Sequence, residues 1–128
     1  MAASVKSLLE DANKAVGRIS PAHARAMMEN EGAVVVDVRD SAEVERSGKV
    51  PGALNISRGM LEFKADAETP YHEPQLQKDK PVIVYCASGG RSALAGRTLK
   101  DFGYQKVFNL GGFKDWVEAG MPVEPAKN

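Results

Sequence analysis

The sequence predicts an α/β fold in which a central parallel sheet of about five strands carries helices on both faces. Two observations lead there. Ala33-Val34-Val35-Val36 and Val82-Ile83-Val84-Tyr85 are short β-branched runs without polar alternation, the signature of strands buried on both faces. Segments of helical period separate such runs, as βα units require.

Taken in order, Val5, Leu8, Leu9, Ala12 and Val16 recur at the spacing of one helix face, and Gly17 ends that helix. Ser20-Pro21 opens a second helix that runs to about Asn30, with Ser as cap and Pro in the first turn. The strand Ala33–Val36 is followed by Asp37-Val38-Arg39, and Asp40 or Ser41 caps a short helix through about Arg46. Val50-Pro51-Gly52 turns into a short strand at Ala53–Ile56, and Ser57 to Ala65 reads as helical. Residues 66–80 are polar, contain Pro70 and Pro74, and read as a surface loop. After the strand Val82–Tyr85 comes a helix with Ala95, Leu99 and Phe102 on one face, which Gly103 stops. Val107–Leu110 is the next strand, Gly111-Gly112 a turn, and Phe113 to Ala119 a last short helix.

Composition bounds the function. The 128 residues suit one compact domain, and 43% hydrophobic content supplies a core without a metal or disulfide staple. Seventeen basic and seventeen acidic residues cancel, so no global field recruits nucleic acid or anionic membrane. The N-terminal stretch has no continuous apolar segment, being interrupted by Glu10 and Asp11, and no long apolar run follows. Neither a signal peptide nor a membrane span is expected, and the expected location is the cytoplasm. Cys86 is the single cysteine, which excludes an intramolecular disulfide and a thiolate-rich zinc site. With two scattered histidines, no metal site and no cofactor are expected.

The chemistry concentrates in Cys86-Ala87-Ser88-Gly89-Gly90-Arg91-Ser92, which follows a strand and leads into a helix. In open α/β sheets, functional groups gather outside the carboxyl ends of strands. Small residues leave the backbone N–H groups uncovered, so they can turn inward as an anion nest. The helix start adds its dipole, and Arg91 a permanent charge. Together these favour thiolate over thiol, and such surroundings lower a cysteine from about 8.5 to roughly 3.5–7.5. A lone cysteine ending a buried strand is ordinarily a small core residue. Here the Gly-Gly-Arg-Ser continuation favours a reactive, anion-cradled Cys86, with Ala87, Ser88, Gly89, Gly90, Arg91 and Ser92 as the binding loop.

This loop is similar to the active-site loop of the rhodanese family, a Cys-x-x-Gly-x-Arg-Ser pattern. Asp37-Val38-Arg39, Pro51-Gly52-Ala53-Leu54-Asn55-Ile56, Leu110-Gly111-Gly112-Phe113-Lys114-Asp115-Trp116 and Gly120-Met121-Pro122-Val123 resemble further family motifs, in the right order. Glu43 stands where an acidic residue commonly begins a helix. Lys49 departs from the pattern, which commonly has histidine there. The resemblance spans residues 19–124, leaving residues 1–18 as a helical extension and 125–128 as a tail.

The resemblance implies a sulfurtransferase. Cys86 would take a sulfane sulfur from a small anionic donor such as thiosulfate, hold it as a persulfide, and pass it to cyanide or a thiol. Arg91 would hold the donor's sulfonate or pair with an acidic residue to brace the loop. Asp37 and Arg39 would support the loop from the neighbouring strand end, although a pair that merely satisfies local N–H groups is the simpler reading. A persulfide carrier with little thiosulfate turnover is the alternative, and an arsenate or phosphate enzyme a weaker one. Tyr71 and His72 read as exposed loop residues, Arg58 as a solvated charge, and Trp116, Phe113, Met27 and Met28 as packing residues.

Overall fold

The computed structural model describes residues 2–126. The two apolar runs lie at its centre, as β2 (Val34–Asp37) and β4 (Val82–Cys86), paired in parallel from Val34↔Val82 to Asp37↔Tyr85. β3 (Leu54–Asn55) extends the sheet beyond β2, and β5 (Val107–Gly112) lies on the other side of β4. The fifth strand is β1 (Gly17–Arg18), at the edge beside β5, so the order is β1-β5-β4-β2-β3 with every pair parallel.

Period-two alternation divides the sheet between two cores. Val36, Val82, Val84 and Cys86 face one core with Leu61, Leu99 and Tyr104. Val35, Ile83 and Tyr85 face the other with Met27, Phe113 and Trp116. The helices deliver those partners: α4 (Leu61–Ala65) and α5 (Gly90–Asp101) on the first face, α2 (Pro21–Asn30) and α6 (Phe113–Glu118) on the second, except Tyr104, which follows α5. Both faces are therefore covered, as all-parallel sheets demand.

Three local departures from expectation have physical causes. Gly17 ends α1 (Val5–Ala15) and also opens β1, a strand too short to carry a periodicity and held by its pairing with β5. Gly111-Gly112 does not form a turn but completes β5, where Val84 pairs with Asn109 and Tyr85 with Gly111, so that Leu110 is an extra, bulged residue. The stretch Ser57–Ala65 divides into a 3₁₀ turn at Arg58–Met60 and then α4. Along α1, Ala12 and the following Val16 are buried, whereas Val5 and Leu8 remain exposed. Arg97 of α5 reaches Asp11 at 2.6 Å and ties the two helices together. The 66–80 loop is pinned by buried Leu76, whose carbonyl lies 3.4 Å from the Tyr104 hydroxyl, and at its start by the Ala65 carbonyl, which accepts from that hydroxyl at 2.8 Å.

Asp37 and Arg39 form a buried ion pair. Arg39 Nη2 lies 2.7 Å from Asp37 Oδ2 and its Nε 3.0 Å from Oδ1, while its backbone N–H donates to the same carboxylate at 3.0 Å. The remaining guanidinium donors go to Ser47 Oγ at 2.7 Å and the Gly48 carbonyl at 2.9 Å, fixing the end of α3 (Ser41–Ser47). The guanidinium also lies 4.5 Å from the Phe113 ring centroid and 5.5 Å from that of Tyr85. Removing one partner of such a pair leaves an uncompensated buried charge. Arg39→Met should therefore cost about 3–5 kcal/mol of stability, measured as a lower urea midpoint with an unchanged slope.

Candidate active site

Cys86 closes β4, and the chain then turns through Ala87-Ser88-Gly89 before α5 begins. The turn depends on Gly89, whose φ of +111° is strained for any side chain. That conformation aims the Gly89 N–H at Cys86 Sγ, 3.0 Å away. Ser92, in the first turn of α5, places its Oγ 3.5 Å from the same sulfur. The sulfur is buried while Ala87 and Ser88 are exposed, so the thiol lies at the base of a shallow ring of backbone.

Burial pushes the Cys86 thiol up. The Ser92 hydroxyl and the backbone N–H groups of Ser92, Gly89 and Ser88 pull it down by more, and the thiol lies below its ordinary value. Stabilisation of the anion thus comes from oriented amides and a hydroxyl at the helix start, without a paired base.

Arg91 is paired with an acidic residue of α3. Its Nη1 and Nη2 bind Glu43 Oε2 and Oε1 at 2.7 and 2.9 Å, a bidentate pair joining α5 to the first turn of α3. The Asp40 N–H donates to the same carboxylate at 3.0 Å. The hydrogen bonds from Arg91 hold Glu43 down to about 2, and Glu43 in turn raises Arg91. Asp37 and Arg39 lie at the adjacent strand end, yet among the described residues no hydrogen bond joins either side chain to the 86–92 loop. They meet its surroundings through α3, which carries Glu43, and through Tyr85, which precedes Cys86.

Two residues of the site carried no functional expectation. Asn109 of β5 is buried; its Oδ1 accepts from Ser92 Oγ and from the Gly111 N–H, both at 2.8 Å, and its Nδ2 donates to the Gly89 carbonyl at 3.3 Å. A lone amide in an otherwise apolar strand is the signal that marks it. Arg18 lies across Gly111 and reaches Gly89, and no sequence pattern points to a two-residue edge strand.

Other residues fall away from the cysteine. Arg58 is no free charge, since it binds Glu62 at 2.9 Å and Thr98 at 3.0 Å. Lys49 donates to the Ala53 carbonyl at 2.9 Å and pairs with Glu124 at 3.0 Å. Trp116 packs in the core and donates to the Pro122 carbonyl at 2.7 Å. Tyr71 is exposed, edge-on to Phe63, and His72 is half-buried in the loop. Among the described residues, no three His, Cys, Asp or Glu side chains cluster as a metal site requires, and no helix is long and apolar enough to cross a membrane.

Comparison with known proteins places this geometry in context. The family model of the rhodanese-like domain matches residues 20–119. The thiosulfate sulfurtransferase GlpE of Glaesserella parasuis serovar 5 is 33% identical over 107 residues, covering 83% of this chain and 91% of that protein. Among solved structures, a protein of unknown function and possible tyrosine phosphatase from Rhodopseudomonas palustris is 42% identical, with a TM-score of 0.88 over 97% of this chain and 96% of that one. The polysulfide-sulfur transferase homodimer of Wolinella succinogenes is 33% identical, with a TM-score of 0.74 over 94% of this chain and 86% of that one.

Two expectations follow from the geometry. Ser92→Ala removes a hydroxyl that favours the anion, so the Cys86 pKa should rise; the pH dependence of thiolate absorbance and of alkylation by iodoacetamide measures this. Glu43 is held near 2 against an ordinary 4.5. Its contribution is complete above the ordinary value and disappears as pH falls through the folded one. The stability difference between wild type and Glu43→Gln, from urea titrations at several pH values, should be constant above about 4.5 and shrink toward pH 2.

Proposed function

The chain belongs to the rhodanese-like domain family, and from that premise we propose that it transfers a sulfane sulfur from thiosulfate or a similar anionic donor through a persulfide on Cys86. The observation that carries this reading is the ring around the sulfur. The Gly89 amide and the Ser92 hydroxyl converge on Sγ, while the loop arginine is bound to Glu43. An N–H-lined ring that stabilises Cys86 as thiolate also suits the terminal sulfur of a persulfide, which is anionic.

In the first step the Cys86 thiolate attacks the outer sulfur of thiosulfate. A Cys86–S bond forms, the S–S bond of the donor breaks, and its electron pair leaves with sulfite. In the second step a nucleophile attacks the terminal sulfur. Cyanide leaves as thiocyanate, or a thiolate leaves as a persulfide, and the Cys86 thiolate is restored. Nothing in this cycle requires an added oxidant or a general base, provided the thiolate is present at the start. A reducing cytoplasm suits the chemistry, since a single thiol there stays free to react.

A persulfide carrier is the second reading, and the Arg91–Glu43 pair favours it, because that pair presents no net charge to a small anion. A phosphate or arsenate reaction has less support. Four small residues separate Cys86 from Arg91, a short span to wrap a tetrahedral anion, and the arginine that would clamp one is bound to Glu43.

Intact mass after incubation with thiosulfate tests the proposal. The wild type should gain the mass of one sulfur atom, cyanide should remove it, and Cys86→Ser should gain nothing. An adduct formed only from a protein persulfide would select the carrier reading. No adduct from either donor would remove sulfur transfer from consideration.

A further inference from the structure

We infer that Arg18 is the residue that receives the anionic part of the donor at the mouth of the cysteine loop; this rests on the sulfur-transfer reading and names the group that makes an anionic donor acceptable. Charge frames the problem. A thiolate and an anionic donor repel one another at the distance where they must react. The loop supplies amides, and Arg91 is neutralised by two short hydrogen bonds to Glu43. A further cation is needed beside the loop, and Arg18 lies there.

Its position is built into the fold. Arg18 ends β1, whose pairing with β5 sets Arg18 opposite Asn109, the residue that holds Ser92 and Gly89. From that edge the guanidinium lies flat against Gly111. A Cβ on Gly111 would overlap it, and a Cβ on Gly89 would stand 3.4 Å from Nη1. Gly111 has a φ of +95° and belongs to the bulged end of β5, so backbone shape and an absent side chain together leave room for the arginine. Gly89 is also the residue whose N–H donates to Cys86 Sγ. The guanidinium therefore flanks the residue in direct contact with the reacting sulfur.

Its guanidinium N–H groups also remain open to an anion. Arg18 forms a loose, solvent-screened ion pair with Asp115, whose Oδ2 lies 3.9 Å from Nη2, beyond hydrogen-bonding range, the two side chains being 55% and 45% exposed. Asp115 instead accepts from the Gly112 N–H at 3.4 Å. Arg91 is thus the brace and Arg18 the receptor, a division of labour between two arginines on opposite sides of one loop.

Alkylation of Cys86 tests this without requiring any sulfur transfer. Rates with anionic iodoacetate and neutral iodoacetamide would be measured for wild type, Arg18→Gln, Arg18→Lys and Arg25→Gln, the last removing a charge that lies against Glu29 and Met121. Arg18→Gln should lower the iodoacetate rate relative to iodoacetamide about fivefold, equivalent to about 1 kcal/mol. Arg18→Lys should recover most of the ratio, Arg25→Gln should match wild type, and the difference should fade as salt is raised. The rate of mass gain from thiosulfate should fall in parallel in Arg18→Gln. An unchanged ratio would overturn the assignment, and so would equal slowing with both reagents, which would mean that Arg18 only shapes the loop or the thiol. A wild type that shows the charge preference but gains no sulfur from either thiosulfate or a protein persulfide would keep the anion-receiving role and remove the sulfur-transfer reading.

Discussion

The Asp37–Arg39 pair is the interaction on which the arrangement of the site depends. It is a buried charge pair whose hydrogen bonds leave little choice of geometry. Through Ser47 and Gly48, Arg39 fixes the far end of α3; through Phe113 and Tyr85, it fixes α6 against the sheet. Because α3 is a rigid short helix, fixing one end positions the other, and Glu43 in its first turn then meets Arg91. The β2 strand end thus reaches the cysteine loop by two paths, through α3 to Arg91 and through Tyr85, the residue before Cys86. Buried ion pairs are a poor source of stability compared with apolar packing. What this one contributes is a single orientation for α3.

Within the loop, one proton links the charge of Cys86 to the hydrogen bonding of β5. Ser92 has a single hydroxyl hydrogen, and three acceptors lie near it: Asn109 Oδ1 at 2.8 Å, and Cys86 Sγ and the Gly111 carbonyl, each at 3.5 Å. With a thiol the hydroxyl can donate to Asn109. With a thiolate it can turn to the sulfur, and Asn109 Oδ1 still accepts from the Gly111 N–H. Neither state leaves a buried group unpaired, so the rotor lets the loop hold a neutral or an anionic sulfur without moving the backbone. The bulge at Leu110 serves the same end, since it brings the Gly111 amide to Asn109.

The central strands, the helices that flank them and the loop around Cys86 were legible because their signals are local. A β-branched run, a helical period and a Gly-Gly-Arg-Ser stretch each follow from a few adjacent residues. Four features were not legible, for a common reason. β1 exists only because β5 lies beside it, and Gly111-Gly112 reads as a turn until its register against β4 is known. The Arg91–Glu43 pair spans 48 residues, and its choice between two foreseen roles is a matter of tertiary position. Arg58 reads as a solvated charge because Thr98 is remote in the chain.

Burial of the sulfur bears on what the site can accept. Cys86 is 1% exposed, whereas Ala87 and Ser88 on the rim are open to solvent. A bulky electrophile cannot reach the thiolate without pushing the rim aside, but a donor that presents a single protruding sulfur can. On the proposed reaction, a new S–S bond of about 2 Å carries the reactive atom outward. The sulfur that was hidden in the thiolate state is replaced by one nearer the mouth, where a larger acceptor can meet it. The ring would therefore select small donors in the first step and tolerate larger acceptors in the second. A ring that enclosed a tetrahedral anion would have to be wider, and Arg91 would have to leave Glu43 to line it.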